Sequence, residues 1–180
     1  MKELNNVNIG NCSSLTDVNL MGNITTRLLV RNCNKLTKIA CDRPIKPNSI
    51  SITNNPELLS VPEFKSGVYN NMKNAFTGCP KLNIDTSVFQ LSGDCSEAFY
   101  KTGITRLVIN DAGITSMFRI ADAGAFLTKT LQEVVINGTL NKCKDYAFAF
   151  KGNTGLNKCD MSGVNFENVF RLSGIFQYCK

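Results

Sequence analysis

Three segments in the first third of the chain repeat one pattern at nearly constant spacing. They are residues 7–18, 28–39 and 50–61, and each reads apolar-x-apolar-x-Asn, then Cys or Asn, then x-x-Leu-x-x-apolar. The second segment starts 21 residues after the first, and the third starts 22 residues after the second. Six specified positions within twelve residues, repeated in three copies, do not arise by accident, so the chain is built from structural repeats.

The second half of the chain carries a different motif at a similar spacing. Ala-Phe pairs at 75–76, 98–99, 125–126 and 149–150 each precede a short polar turn and then a Leu or Ile. One aliphatic residue anchors every unit, and these anchors lie 21 to 27 residues apart. They are Leu15, Leu36, Leu58, Leu82, Ile104, Leu131 and Leu156.

After most anchors the pattern Leu-x-x-apolar-x-apolar alternates with period two, which is typical of a short strand with one buried face. A unit of this length cannot bury that face alone, so units stack and their strands pair in parallel. The sequence therefore predicts a single α/β solenoid over residues 1–180, with about seven repeats. A parallel β-sheet forms one face and short helices or turns form the other. Pro62 and Glu63 stand where the third strand should be, which predicts a short or bulged strand there.

Residues 74–82 carry a nearly complete family signature, in which Ala75-Phe76 is followed by Gly78-Cys79 and then Leu82. This signature resembles the BspA-type (bacterial surface) branch of the leucine-rich-repeat family, and the match covers residues 5–180. The resemblance implies a leucine-rich-repeat solenoid with a role in cell adhesion, at the cell surface or secreted. The chain begins without the apolar segment of a signal peptide, so the sequence leaves its localisation open.

The final repeat is expected to be incomplete. Residues 174–180 reproduce the Phe-x-x-Cys spacing of Phe76 and Cys79 and stop before the expected leucine. A solenoid that stops within a repeat leaves an apolar face and a strand edge open. We therefore expect further repeats or another chain to cover that end.

The eight cysteines fit the repeat frame better than a zinc site, because no two of them lie two to four residues apart. Seven occupy repeat positions and are interpreted as small buried hydrophobic residues. A disulfide between neighbouring units, such as Cys12 with Cys33, is the alternative. Cys95 alone has no position in the frame. The seven are Cys12, Cys33, Cys41, Cys79, Cys143, Cys159 and Cys179.

Composition and motifs exclude several classes of function. The chain has no histidine, so triads built on Ser-His or Cys-His are excluded. No nucleotide-binding loop, nucleophile elbow or calcium loop is present, and we predict no enzyme, no catalytic or metal-ligating residue and no cofactor. The net charge of +6 comes from singly scattered Lys and Arg, which argues against a nucleic-acid partner. No apolar run is long enough for membrane insertion.

The remaining candidate for function is the surface formed by outward strand residues. Val108 and Val135 are apolar neighbours in it, and they either seed a contact patch or are covered by the long segment 110–125. We predict a non-enzymatic binding or adhesion module that presents this face to a protein or glycan partner. The alternative is a structural or assembly segment of a larger surface fibre or phage virion. The candidate binding residues are Asp17, Asn19, Lys38, Arg106, Val108, Glu133, Val135, Lys158 and Asp160.

Overall fold

The computed structural model of the protein describes residues 3–124 and 130–180, the first two of these by their backbone alone. The chain winds as a parallel β-solenoid of about seven turns. Every strand pair in the described part is parallel. The ten strands are β1 (Glu3–Gly10), β2 (Asp17–Leu20), β3 (Asn23–Arg31), β4 (Lys38–Cys41), β5 (Ser49–Thr53), β6 (Gly67–Asn70), β7 (Phe89–Asp94), β8 (Arg106–Ser116), β9 (Glu133–Asn137) and β10 (Lys158–Cys159).

Each turn of the solenoid contributes to three sides. The first side begins with the sheet β1-β3-β5, and the second side begins with β2-β4. The second side resumes in β8-β9-β10, and the third contains β6-β7-β8. Strand β8 turns the corner between them, because Arg106–Asn110 pairs with β9 while Asn110–Ser116 pairs with β7. The segment 110–116 is therefore strand within the sheet rather than a covering insertion.

The predicted leucine anchors stack in one column inside the solenoid. Six of the seven are buried, and Leu15 in the first turn is half-buried against the same core. Outside the fourth turn, the backbone just after the anchor is hydrogen-bonded to the equivalent place in the preceding turn. The N–H of Thr37 donates to the carbonyl of Thr16 at 2.8 Å, and the N–H of Leu59 donates to that of Thr37 at 2.9 Å. The stacking predicted from the repeat is confirmed.

The Ala-Phe segments stack as turns and not as helices. No helix occurs within residues 3–124 and 130–180, so the α/β class is wrong for the described chain and the alternative of turns holds. These turns extend the first side beyond β5: the N–H of Phe76 donates to the carbonyl of Ala98 at 2.8 Å. The ring of Phe76 stacks on that of Phe99, with centroids 5.7 Å apart. Each phenylalanine side chain in this column fills the interior that alternating strand residues fill earlier in the chain.

The predicted pair at 125–126 lies outside the described residues. Its expected place in the column, between Ala98-Phe99 and Ala149-Phe150, is taken by Ile120 and Ala121. The N–H of Phe99 donates to Ile120, and the N–H of Ala121 donates to Ala149. A small alanine therefore stands where neighbouring turns carry a phenylalanine ring.

Left-handed residues turn the chain at the corners of the solenoid. Asn11, Asn32 and Asn54 follow the first three strands of the first side, with φ of 58°, 56° and 56°, a region that asparagine tolerates better than most residues. Their side chains form an exposed ladder, in which Asn32 Nδ2 donates to Asn11 Oδ1 at 3.0 Å and Asn54 Nδ2 donates to Asn32 Oδ1 at 3.2 Å. The next residue, Asn55, is the buried one that satisfies backbone groups.

All eight cysteines are free thiols. The repeat frame favoured free thiols over disulfides. Cys95 does have a repeat position, which the sequence reading missed. Its carbonyl accepts from Ala98 N–H in a turn, as Met72 accepts from Ala75 in the turn before. Cys95 is therefore one more buried apolar residue at the start of a stacked turn. It lies three positions before Ala98, as Met117 lies three before Ile120 and Tyr146 three before Ala149.

Candidate binding face

The predicted binding residues lie on the second side of the solenoid, in two separate groups. Asp17 and Asn19 on β2 pair with Lys38 and Ala40 on β4, and the three polar candidates among them are exposed. The other six lie along β8, β9 and β10 or directly after β10. The third and fourth turns, which separate the two groups, contribute no strand to this side.

A row of alternating charges crosses the second group. Arg106 Nε lies 2.7 Å from Glu133 Oε2, and Lys158 Nζ lies 2.5 Å from Glu133 Oε1. The hydrogen bonds from Lys158 and then from Arg106 lower the pKa of the Glu133 carboxyl. Three neighbouring strands thus place a carboxylate between two cations, which fixes their register at an exposed surface.

The two valines of the predicted contact patch have different environments. Val108 and Val135 are opposite each other in the β8–β9 register, as expected. Val108 is only 5% exposed, so the expectation that it contributes an outward contact is wrong. Its N–H donates to Thr86 Oγ1 at 2.7 Å, so the segment 83–86 lies beside it. Val135 is half-buried and lines a shallow depression with Lys158 and Asp160.

The strand ladder of the second side breaks at the third and fourth turns. Ser60 makes an isolated bridge to Lys38, and Pro62 follows, so the short strand predicted at Pro62 and Glu63 is confirmed as a break. In the fourth turn, side chains replace backbone partners. Asn83 Oδ1 accepts from Thr105 N–H at 3.2 Å, in addition to the bond between Thr86 and β8.

Two open cavities flank residues 83–86 at this break. The cavity toward the third turn has a volume of about 270 Å³, and the cavity toward β8 has a volume of about 240 Å³. Asn83, Ile84 and Asp85 line both of them. The first is otherwise walled by residues 59–64 and Val88, and the second by Thr86, Thr105, Arg106 and Val108. We call the two cavities and the segment between them the break site.

The break site combines apolar walls with a polar rim. Val61, Ile84 and Val88 supply apolar surface, and Leu59 beside them is exposed. Hydrogen bonds from Ser87 lower the pKa of the Asp85 carboxyl, so it is ionised at neutral pH, and Arg106 carries a positive charge nearby. Each cavity is smaller than the roughly 300–1,000 Å³ that encloses a drug-sized ligand. The site therefore suits a side chain or a single sugar ring of a larger partner.

Sequence reasoning identified Arg106 and Val108 but missed the rest of the break site. A signal was present in the repeat frame. After the anchor Leu82, the pattern requires apolar residues three and five positions later, and Asp85 and Ser87 stand there. Two polar residues in strand positions directly after the irregular third unit would have located the interruption.

The first side carries another charged cluster, which serves to join turns. The guanidinium of Arg119 lies over the ring of Tyr100 at 4.2 Å, and it pairs with Glu97 at 3.1 Å and Asp122 at 2.7 Å. Asp122 is buried and also accepts from Gly124 N–H at 2.7 Å. Since two carboxylates already engage this cation, we assign it to stacking of neighbouring turns.

Within the described ranges, no three His, Cys, Asp or Glu side chains group as metal ligands would. The same ranges contain no helix long and apolar enough to span a membrane. Comparison with protein-family models, curated proteins and solved structures gave no match.

Proposed function

We propose that this chain is a non-enzymatic binding module that presents the second side of its solenoid to a protein or glycan partner. The observation that carries the proposal is the break site, where a regular ladder gives way to two open cavities on the face that the repeats expose. Rigid stacked turns on both sides hold these cavities in place, so little conformational freedom is lost when a partner binds.

The chemistry of the break site favours recognition over reaction. The Thr86 hydroxyl accepts from Val108 N–H, and the Asp85 carboxylate accepts from Ser87 N–H at 2.9 Å. These two groups hold the segment in shape. The remaining walls combine the apolar side chains of Val61, Ile84 and Val88 with the polar groups of Asn83, Thr105 and Arg106. Apolar walls with a few fixed polar groups orient a ligand without supplying a nucleophile and its base.

We further propose that the solenoid belongs to the BspA-type leucine-rich repeats, with cell adhesion as its setting. The anchor column supports this assignment, since one Leu or Ile per turn occupies the same buried place along the whole stack. The Ala-Phe turns beside that column support it as well, because they stack at one place per turn.

The proposal is tested by placing a charge inside the break site. Purified protein is applied to glycan arrays and to arrays of short peptides, together with an Ile84→Lys variant. Ser49→Lys is the matched control, because Ser49 is exposed on β5 of the first side. We expect Ile84→Lys to weaken binding to the retained ligands at least tenfold and Ser49→Lys to leave it unchanged. No bound feature on either array, or equal loss in both variants, contradicts the proposal.

One observation favours the second candidate, a structural segment of a larger assembly. Large apolar side chains are concentrated at the surface of the last turn, as described next.

A further inference from the structure

The last turn of the solenoid exposes most of the large apolar side chains found at the surface. Eight such residues are exposed in the described chain, and five of them belong to residues 166–178. Phe170 is 67% exposed and Tyr178 is 59% exposed. The five are Phe166, Phe170, Leu172, Phe176 and Tyr178. A cluster of this kind marks a contact surface.

The opposite end of the stack is also incompletely covered. Ile9, Leu15 and Leu20 of the first turn point into the core column but remain only half-buried. Within the described residues, strand β1 is bonded on one side only, to β3, and β10 is bonded on one side only, to β9. Both ends therefore present an apolar face together with an unpaired edge of a parallel ladder.

We propose that the last turn of one copy of this chain stacks on the first turn of a second copy. The two copies continue one parallel solenoid in a head-to-tail arrangement. This inference does not depend on the break site binding a ligand.

The charges on the second side specify this partner. Asp17, Lys38, Arg106, Glu133 and Lys158 all lie two positions after an anchor, in one column. Along this column, Asp17 pairs in register with Lys38, and Arg106 pairs with Glu133, which pairs with Lys158. Neighbours in register therefore alternate in sign at both ends of the molecule.

Stacking a second copy continues this alternation across the junction. Asp17 of the second copy falls opposite Lys158, and the order of charges runs plus, minus, plus, minus, plus from Arg106 to Lys38 of that copy. The Lys158 side chain is 70% exposed although it pairs with Glu133. Its ammonium group has three donors, so it can bond both carboxylates. Opposite charges facing each other across paired strands stabilise the contact, and like charges weaken it.

The arrangement is heterologous, since two different surfaces meet. Such contacts repeat along an axis and do not close after two copies. Association is therefore expected to continue beyond dimers as the protein concentration rises.

Sedimentation velocity of the 180-residue chain, over a concentration series in low salt, tests the inference. Wild-type protein should show reversible association that increases with concentration and decreases with salt. Lys158→Glu alone and Asp17→Lys alone should each weaken association about five- to tenfold, since each puts like charges together. Lys65→Glu is the matched control: it makes the same charge change at an exposed lysine of the third turn, away from both ends and outside the charged column. It should leave association unchanged.

Mixing the two end variants distinguishes this arrangement from others. In an equimolar mixture, every junction between unlike copies brings opposite charges together, so association should return to the wild-type level. If the mixture does not restore association, the head-to-tail arrangement is contradicted. A pairing of two last turns would give that result. A wild-type chain that stays monomeric at all concentrations, or a Lys65→Glu variant as impaired as Lys158→Glu, also overturns the proposal. Circular dichroism of each variant verifies that it is folded.

Discussion

Two adjacent leucines allow a sharp test of the repeat register. Leu58 is an anchor of the column and is fully buried, whereas Leu59 is 58% exposed beside the break site. Both backbone N–H groups are hydrogen-bonded, Leu58 to Asn55 at 3.1 Å and Leu59 to Thr37 at 2.9 Å. Substitution by alanine keeps these bonds and removes the same side-chain atoms at both positions, so the two variants differ in how deeply the removed group is buried.

The expected cost follows from the environment of each side chain. Replacing a buried leucine by alanine destabilises a protein by about 2–5 kcal/mol, and more when the cavity cannot collapse. Stacked turns on both sides hold the walls around Leu58, so we expect about 3–4 kcal/mol for Leu58→Ala. Leu59→Ala should cost about 0.5 kcal/mol or less, because its side chain is already mostly in water.

Equilibrium unfolding in urea measures both variants. A protein of this size has a denaturant slope of about 2 kcal/mol per molar urea, so Leu58→Ala should lower the unfolding midpoint by about 1.5–2 M. The midpoint of Leu59→Ala should change by about 0.3 M at most. Equal shifts for the two variants, or a larger shift for Leu59→Ala, would refute the register of the column.

Three further predictions concern buried polar groups and thiols. Asn55 accepts from Cys33 N–H at 2.9 Å and donates to the Val30 carbonyl at 2.9 Å. Asn55→Ala leaves these two buried backbone groups unpaired, so it should cost about 2–3 kcal/mol in the same urea assay. A change under about 0.5 kcal/mol would contradict this role of Asn55. Burial raises the pKa of Cys79 to about 11 and that of Cys95 to about 12 from 9.0, so unfolded thiols ionise first and stability should fall as the pH rises from 9 toward 12. We expect a loss of about 1 kcal/mol per buried thiol at pH 10, measured as urea midpoints, and a flat profile up to pH 11 would exclude it. A chromogenic disulfide reagent at pH 8 should react with all eight thiols in denaturant. In the native protein it should react only slowly with the four buried thiols, which are Cys33, Cys79, Cys95 and Cys143.

The stacking of turns was predictable because it depends on one strong signal. Large aliphatic residues at a fixed spacing must share a buried column, and Leu36, Leu58 and Leu82 do so. The alternation after each anchor also predicted the strands that hold Arg106, Glu133 and Lys158 in register.

The absence of helices from the described residues could not be predicted from the same signal. An Ala-Phe pair suits a helix, but a left-handed residue directly precedes each of the three pairs that the structure describes. These residues are Asn74, Glu97 and Phe148, each with a φ of 56°. These residues interrupt any helix before a second turn can form, and short segments do not nucleate helices alone. Only the asparagine among them indicates a left-handed conformation from its residue type.

The break site was hidden for a related reason. The frame was read from the leucines, which continue without interruption through Leu58 and Leu82. The ladder fails between those anchors and β8 because Pro62 and Asp85 occupy strand positions. The repeat position of Cys95 was hidden for the same reason. Cys95 belongs to a column with Met72 and Met117, which lies at a different corner of the solenoid from the leucine anchors.

Nuclear Overhauser contacts between methyl groups test the central claim of a coaxial stack most directly. Neighbouring parallel strands lie about 4.8 Å apart, so methyls of consecutive anchors are within range and those two turns apart are not. In a sample labelled at Leu and Ile methyls, contacts should join Leu36 to Leu58 and Leu58 to Leu82. The series should continue through Ile104 and Leu131 to Leu156. Contacts that skip turns, such as Leu36 with Leu131, or the absence of the contact between Leu36 and Leu58, would contradict the solenoid.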